Sequence, residues 1–554
     1  MRGHLFLAVL GAALLLLGGG LAHKVQTAGG IQIEDVGIPV SDGNVLGGYL
    51  YIPPNATPQT PAPAVLAVHG YINSRETQSA FAIELSRRGY VVLAIDQSGH
   101  GMSTNVAFAD GFGGPAGLMY LQSLDFVDAS RIGLEGHSMG GWTSLAAAIT
   151  FKDAYRSVAL VGSSTGAPYA APGTPEWPRN LAVVFTTFDE FGPLMWGVEK
   201  SAKVAQSEKL QAVFGVTEPV EPGRIYGSIE EGTARRLTQP VTTHPGAHLS
   251  FAATADVIDW MDETLGQPKG PGPDDQIWQW KEVGTFVALT GGVFLLIGSF
   301  GAVASVFGTA TDRSTSIAPV RGAGRWVRLG AAIAVPALTY FPLTTLGARF
   351  AGNAVFSQNI TTQIVAWALG NGAFALIGLL LRRRFAVSFP IGGVIAAVVA
   401  VAVLFVGVVI SDVLFQTDLR FWVVALKPMG THHWPAFFAY LLPFIAFFYF
   451  SHAAMAHSLI NGARVPQLTA WLASAGGMTA LIAGLYAYLF VVGKLPGFAN
   501  PLFSIVGIQF VPILTITGIL AAISYRRTGA AFPGALASGL FVTWYVVAGQ
   551  ATHA

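Results

Sequence analysis

Around positions 284–307, 329–348, 361–381, 387–411, 434–451, 467–493, 500–524 and 531–549 the chain runs apolar, and none of these stretches has Asp, Glu, Lys or Arg in its interior. A bilayer core takes about 20 apolar residues of helix, so each run is near or above the length needed to cross. A soluble helical bundle would show a polar face every few residues. These runs show none, and they predict an all-α domain of about eight transmembrane helices over 284–554. Charged residues make up 11% of the chain and hydrophobic ones 52%, against about 25% charged in soluble domains. Most of the acids lie between positions 30 and 283.

An earlier apolar run, Leu5–Leu21, comes after Arg2. Residues 1–24 therefore read as a signal peptide or an uncleaved membrane anchor. Gly20-Leu21-Ala22 offers small residues for cleavage, and Lys24 just behind them argues for the anchor. Either outcome exports residues 30–265. The loops agree with that orientation. Arg313, Arg321, Arg325 and Arg328, then Arg382, Arg383 and Arg384, then Arg464, Arg526 and Arg527 all fall in loops on the inner side. Basic residues concentrate on the cytoplasmic side, which predicts a multi-pass cell-membrane protein with residues 30–265 extracytoplasmic. The lipid bilayer is then one partner. Nucleic acid is not, because the net charge is +1 and no basic stripe exists. With no Cys in the chain, disulfides, thiolate metal sites and a Cys nucleophile are excluded.

Residues 30–265 alternate strand and helix patterns. Ile31–Val36 and Gly47–Ile52 predict a hairpin. Ala64–Val68, Tyr90–Ile95, Arg131–Glu135, Ser157–Gly162 and Leu181–Phe185 are short runs suited to strands buried on both faces. Helical patterns fall at Glu76–Arg88, Trp142–Phe151 and Ser250–Leu265. This alternation predicts an α/β fold with a mainly parallel sheet covered on both sides. Residues 266–283 open with a Gly/Pro-rich stretch and carry Trp278 and Trp280 ahead of the first long run, as a linker and interfacial segment would.

Gly136-His137-Ser138-Met139-Gly140 fits G-x-S-x-G between a strand and a helix. In that context the turn is tight enough to strain the serine and expose its Oγ, while the Met139 N–H at the helix start points where an oxyanion would form. Together with Val68-His69-Gly70, Asp96-Gln97-Ser98-Gly99-His100-Gly101-Met102-Ser103 and VDASRIGLEGHSMGG at 127–141, the sequence resembles the α/β-hydrolase superfamily over roughly 31–265. The nearest likeness is to dienelactone-hydrolase-like, serine-aminopeptidase-like and cutinase-like bacterial enzymes.

The resemblance implies the order nucleophile, acid, histidine. Ser138 is then the nucleophile. Asp189, in the loop after the strand ending near Phe185, is the acid, with Glu190 beside it as the fallback. His248, just before the last helix, is the base, and His244 is the second candidate, disfavoured by Pro245 and its greater distance from that helix. The second oxyanion donor is the N–H of Tyr71. His69 and His100 are read as structural. Gln97-Ser98 departs from the family's usual residues. Residues 191–240 have room for a lid, to which Trp177, Phe191, Met195 and Trp196 would contribute.

No cofactor or metal is implied: His432 and His433 lie on the other side of the membrane from His452 and His457. The spans lack the buried charges that mark ion paths. Asn371 and Gln509 are expected to hydrogen-bond between helices, and Phe421–Met429 to lie at the membrane surface facing the hydrolase pocket. The function expected is a membrane-anchored serine hydrolase acting on a small-molecule or lipid ester, or an amide, through an acyl-serine. The alternatives are a transporter or receptor with a hydrolase-like binding domain, and a serine acyltransferase.

Overall fold

The computed structural model describes residues 1–266, 270–307, 322–381, 388–460 and 463–554. Arg313, Arg321 and Arg382–Arg384, which carry much of the charge asymmetry between loops, lie outside the described residues, as do the side chain of His457 and linker positions 267–269.

Helix α1 (Arg2–Gln26) leads into the predicted hairpin, β1 (Gln32–Pro39) and β2 (Val45–Ile52). Next in the chain are β3 (Ala62–Val68), α2 (Ser79–Arg87), β4 (Val91–Ile95), α3 (Gly114–Ser123), β5 (Val127–His137), α4 (Met139–Thr150), β6 (Ser157–Val161) and β7 (Leu181–Val184). Short helices α5 (Gly192–Trp196) and α6 (Glu208–Phe214), strands β8 (Ile225–Tyr226) and β9 (Arg235–Thr238) and helix α7 (Phe251–Leu265) complete this part. The nine strands form one sheet in the order β1-β2-β4-β3-β5-β6-β7-β9-β8. From β4 to β9 neighbouring strands are parallel, and the antiparallel pairings are confined to the two edges.

Period-two alternation sends successive residues to opposite faces. In β3, Ala64, Leu66 and Val68 join the core that includes Leu118 of α3 and Leu145 of α4, while Val65 and Ala67 join the one that includes Phe81 of α2 and Trp260 of α7. Every residue of β3 is buried, which is why the strand reads as an unbroken apolar run. Strand β9 is not among the expected strands, because it reads Arg-Arg-Leu-Thr. Both arginines are buried and partnered: Arg236 pairs with Asp259 at 2.7 Å, and Arg235 donates to the Ala234 and Thr174 carbonyls.

The remaining helices are α8 (Trp278–Val306), α9 (Ala323–Gly347), α10 (Asn359–Leu380), α11 (Ile391–Phe415), α12 (Trp434–Met455), α13 (Pro466–Val492), α14 (Pro501–Thr528) and α15 (Phe532–Gly549). Among the described residues nine helices are long and apolar enough to cross a membrane, these eight and α1. Helix α8 starts at Trp278, ahead of the expected Gly284, and α11 runs on past Ser411, so that Asp412 lies within a helix and accepts a hydrogen bond from the Tyr49 hydroxyl at 3.0 Å.

Helices α1 and α8 pack antiparallel through glycines at seven-residue spacing. A Cβ on Gly11 or Gly18 would sit 2.4 Å from the backbone of Leu295 or Gly284, and Gly284, Gly291 and Gly298 of α8 are equally tight against α1. Small residues let two backbones approach closely in this way. Asn371 donates to Thr339 on α9, and Gln509 accepts from the Tyr545 hydroxyl of α15, so both isolated polar residues bond between helices.

The sheet and the long helices share an interface. Arg420, in the hairpin of β10 (Leu419–Phe421) and β11 (Val424–Leu426), pairs with Asp418 at 2.6 Å and donates to Thr77 at 2.9 Å. The C-terminal residues return to the sheet's side, where Thr552 exchanges backbone hydrogen bonds with Gly99 and Ala107.

Candidate active site

The strand-to-helix turn at Ser138 is strained, with φ 54° and ψ −121°. A β-carbon costs energy at positive φ, and the surroundings hold this residue there. The Ser138 amide donates to the Val161 carbonyl of the neighbouring strand at 2.8 Å. The flanking glycines are required by contact: a Cβ on Gly136 would lie 2.2 Å from the Gly140 carbonyl oxygen, and one on Gly140 would lie 2.1 Å from that of Val68. Met139 is the first residue of α4, so its N–H has no carbonyl one turn earlier to bond. Gly70 packs so close to the turn that a Cβ there would be 3.1 Å from Ser138 Cβ, which brings the following residue, Tyr71, to the same spot.

Asp189 lies in the loop after β7 and is buried. Its Oδ1 accepts the Phe191 amide at 2.9 Å, and its Oδ2 meets His244 Nδ1 at 2.9 Å. The residue set against the acid is thus His244, where the family likeness points to His248. The reason is topological. Strand β9 runs parallel to β7, so the chain leaving β9 emerges at the same end of the sheet as the acid loop. A parallel bridge joins Phe188 to Thr243, and the Phe188 amide donates to the Thr242 carbonyl at 3.0 Å. His244 comes directly after. Pro245 then opens a short 3-10 turn over Pro245–Leu249 that carries His248 away. Both ring nitrogens of His248 lack hydrogen-bond partners among the described residues, and its ring packs 4.0 Å from that of His137 and 6.3 Å from that of Phe81.

The surroundings tune the two histidines in opposite directions. Burial lowers the pKa of His244, but Asp189 and then Glu190 outweigh it, and the net shift is upward from the ordinary 6.5. Burial, with smaller contributions from His244 and Arg420, pushes His248 down to about 3. Glu190 is raised to about 7, chiefly by burial and then by Asp189 beside it. It still has partners: one oxygen accepts the His244 amide at 2.8 Å and the other the Tyr486 hydroxyl of α13 at 2.7 Å. Gly162, at φ +56°, lies beneath the pair, and a Cβ there would be 3.0 Å from His244 Nδ1 and 3.2 Å from Asp189 Oδ2.

Ser138, His244, His248, Tyr71 and Met139 all line one cavity of about 330 Å³. Of the residues expected in a lid, Phe191 and Met195 reach its wall, whereas Trp196 is buried beside it and Trp177 is elsewhere. Sequence reasoning missed the part of the wall that comes from the long helices. Leu502, Ile505 and Gln509 of α14 and Asn359 of α10 contribute to it. The segment Phe421–Met429 contributes Trp422 and Val423, and Trp422 Nε1 donates to the Pro245 carbonyl at 2.7 Å. His553 also reaches the wall, with its Nε2 2.8 Å from the Tyr71 hydroxyl. An imidazole held by a carboxylate, in the same cavity as a hydroxyl on a strained turn, is an arrangement that can activate that hydroxyl as a nucleophile. Among the described residues no group of three or more His, Asp or Glu is arranged to hold a metal ion.

Residues 63–191 match the family model described as alpha/beta hydrolase fold. Over 138 residues, 22% of this chain, the sequence is 35% identical to dipeptidyl peptidase 8 of Mus musculus, and the match spans 15% of that protein's length. Among solved structures the chain is similar to a CIB-like hydrolase from Thermoplasma acidophilum, at 16% identity and TM-score 0.31 over 42% of this chain and 100% of the other. It is also similar to a dienelactone hydrolase from Anabaena variabilis, at 18% identity and TM-score 0.29 over 42% of this chain and 99% of the other. With the family match spanning β3 to the acid loop, and a mostly parallel nine-stranded sheet around it, the chain carries an α/β-hydrolase domain, joined to many long apolar helices in its C-terminal part.

Proposed function

We propose that this protein is an integral-membrane serine hydrolase that cleaves a carboxylic ester, or an amide, through an acyl-enzyme on Ser138. The observation that carries the reading is the 2.9 Å contact between Asp189 Oδ2 and Nδ1 of His244, a residue that lines the same cavity as Ser138. Asp189 holds the imidazole in the tautomer that leaves Nε2 as acceptor. His244 takes the Ser138 hydroxyl proton as Oγ attacks the substrate carbonyl. The resulting oxyanion is met by the N–H groups of Met139 and Tyr71. The carbonyl–leaving-group bond breaks, and the leaving group departs with the proton from His244. Water, giving a proton to His244, then attacks the acyl carbon, and the acyl–Oγ bond breaks as His244 passes that proton to Oγ, which releases the carboxylic acid and restores Ser138.

The wall points to the substrate class. Leu502, Ile505 and Trp422 make it apolar; the first two come from α14, a helix that the bilayer would surround, and Trp422 from the hairpin between α11 and α12. An ester with an apolar chain, such as a lipid ester, suits it best. The likeness to a dipeptidyl peptidase keeps an amide as the alternative bond. We place the hydrolase domain on the extracytoplasmic side, in accord with the basic loops. The glycine seam of α1 against α8 supports α1 as a retained span.

The test is labelling with a fluorophosphonate probe, which phosphonylates an activated serine. Wild type should label and Ser138→Ala should not. Labelling undiminished in Ser138→Ala would overturn the assignment.

A further inference from the structure

A second cavity, about 760 Å³, lies among α9, α10, α12, α13 and α14 and shares no wall residue with the hydrolase pocket. Pockets of roughly 300–1,000 Å³ are the usual size for small ligands. Helices α10 and α14 line both cavities, but at different levels. Asn359 and Leu502 face the hydrolase pocket, while Trp367 and Leu514 face the second. Between those levels Trp367 and Phe510 pack ring against ring, centroids 5.8 Å apart.

The second cavity is mostly apolar and has its one arginine at one end. Its mouth has Arg328, near the start of α9, and His452, near the end of α12. Arg325, one turn before Arg328, donates to the Leu459 carbonyl at 2.9 Å, which fixes these two helix ends side by side. Deeper in, the wall is Trp367, Phe447 and Leu514. Two buried polar groups in the lining lack a partner among the described residues, His452 Nδ1 and Asn371 Oδ1, in side chains only 3% and 8% exposed. A polar atom buried without a hydrogen bond costs about 1–3 kcal/mol, so both mark places where a ligand's polar groups, or water, are accommodated. Along α10 the lining runs from Leu379 to Trp367, about 18 Å at roughly 1.5 Å per residue. One leaflet of a bilayer core is about 15 Å deep. The cavity therefore has the reach of one leaflet, with a guanidinium at its mouth.

We infer that this cavity binds a bilayer lipid of the leaflet opposite the hydrolase domain, with an anionic head at Arg328 and His452, an acyl chain running to Trp367, and water satisfying Asn371 Oδ1. The inference requires that the long helices span a membrane, but not that Ser138 is catalytic. A cationic mouth concentrates anionic heads at the cavity lining, whereas the exposed basic residues of the inner loops attract them over the whole inner surface.

The test uses full-length protein in lipid nanodiscs and two photoreactive probes with identical diazirine-bearing chains, one a phosphatidate and the other a phosphatidylcholine. Adducts are mapped by peptide mass spectrometry. Phosphatidate should label the α10 and α12 peptides about fivefold more than phosphatidylcholine. Arg328→Gln should remove that preference, and Ala375→Phe, which fills the cavity, should remove the adducts themselves. Equal labelling by the two heads in wild type, or an adduct map unchanged by Ala375→Phe, would overturn the inference and leave only coating lipid. The wild-type adduct map decides the matter even where a variant fails to fold: the phosphatidate excess confined to cavity-lining residues such as Asn371 and Phe447 supports the inference, and an excess spread over lipid-facing residues overturns it.

Discussion

Replacing His244 by Ala, and separately His248 by Ala, separates two histidines four residues apart that occupy the same pocket wall. His244 bonds Asp189 at 2.9 Å, and its basicity is raised. Losing the general base of such a constellation lowers kcat by about 10⁴- to 10⁶-fold. At about 1.36 kcal/mol per decade, the lower figure is already ~5.5 kcal/mol of transition-state stabilisation. His248 bonds nothing among the described residues, and with a pKa near 3 it stays neutral through the working range. Removing its ring leaves a cavity costing roughly 2–4 kcal/mol. That cost is offset by about 1–3 kcal/mol for each buried nitrogen no longer stranded. The two ranges overlap, so the expected loss of stability is at most about 2 kcal/mol, and kcat/KM should fall by less than about tenfold. The assay is hydrolysis of a short-chain p-nitrophenyl ester by purified protein, with thermal unfolding measured alongside. Turnover abolished in a folded His248→Ala, together with His244→Ala active within tenfold of wild type, would refute the reasoning.

Three further outcomes are expected. Because neutral His244 is the active form and its pKa is raised, kcat/KM should be full at alkaline pH and fall as pH drops through a midpoint above about 6.5; Asp189→Asn should move that midpoint down, since burial then acts with less opposition, and a midpoint unmoved by the change would argue against the pairing. Tyr486→Phe removes the hydroxyl that α13 gives to Glu190, which should cost ~1.5–3 kcal/mol of stability and shift the same midpoint downward, as a Glu190 more easily protonated raises His244 less; an unchanged pH profile and melting temperature would show the contact to be idle. A reporter fused at Lys269 should read as extracytoplasmic and one at Arg383 as cytoplasmic, and the reverse pattern would overturn the orientation.

Sequence and structure agree most closely where one local rule acts alone. Each long run without charge became a helix, because such a segment can satisfy its backbone only within itself. The pairs of flanking runs and turns became β1 to β7, and Ser138 took the strained turn that Gly136 and Gly140 make room for. The place of Asp189, in the loop after a recognisable strand, was legible too. The same rules failed at β9, where buried arginines partnered by carbonyls and by Asp259 disguise a strand as a polar stretch.

What the amino-acid order determined was therefore the alternation that makes a covered parallel sheet, the helices long enough to span a bilayer, and the position of the serine. Only the tertiary structure decided which histidine meets Asp189. That depended on β9 lying parallel to β7 and on the Phe188–Thr243 bridge, a pairing of segments more than fifty positions apart. It alone brought Leu502 and His553 into the pocket wall and Tyr486 onto Glu190. Local periodicity reports which face of an element is apolar; it holds no record of which distant element will cover that face, because that choice is made by packing and hydrogen bonding across the whole assembled chain.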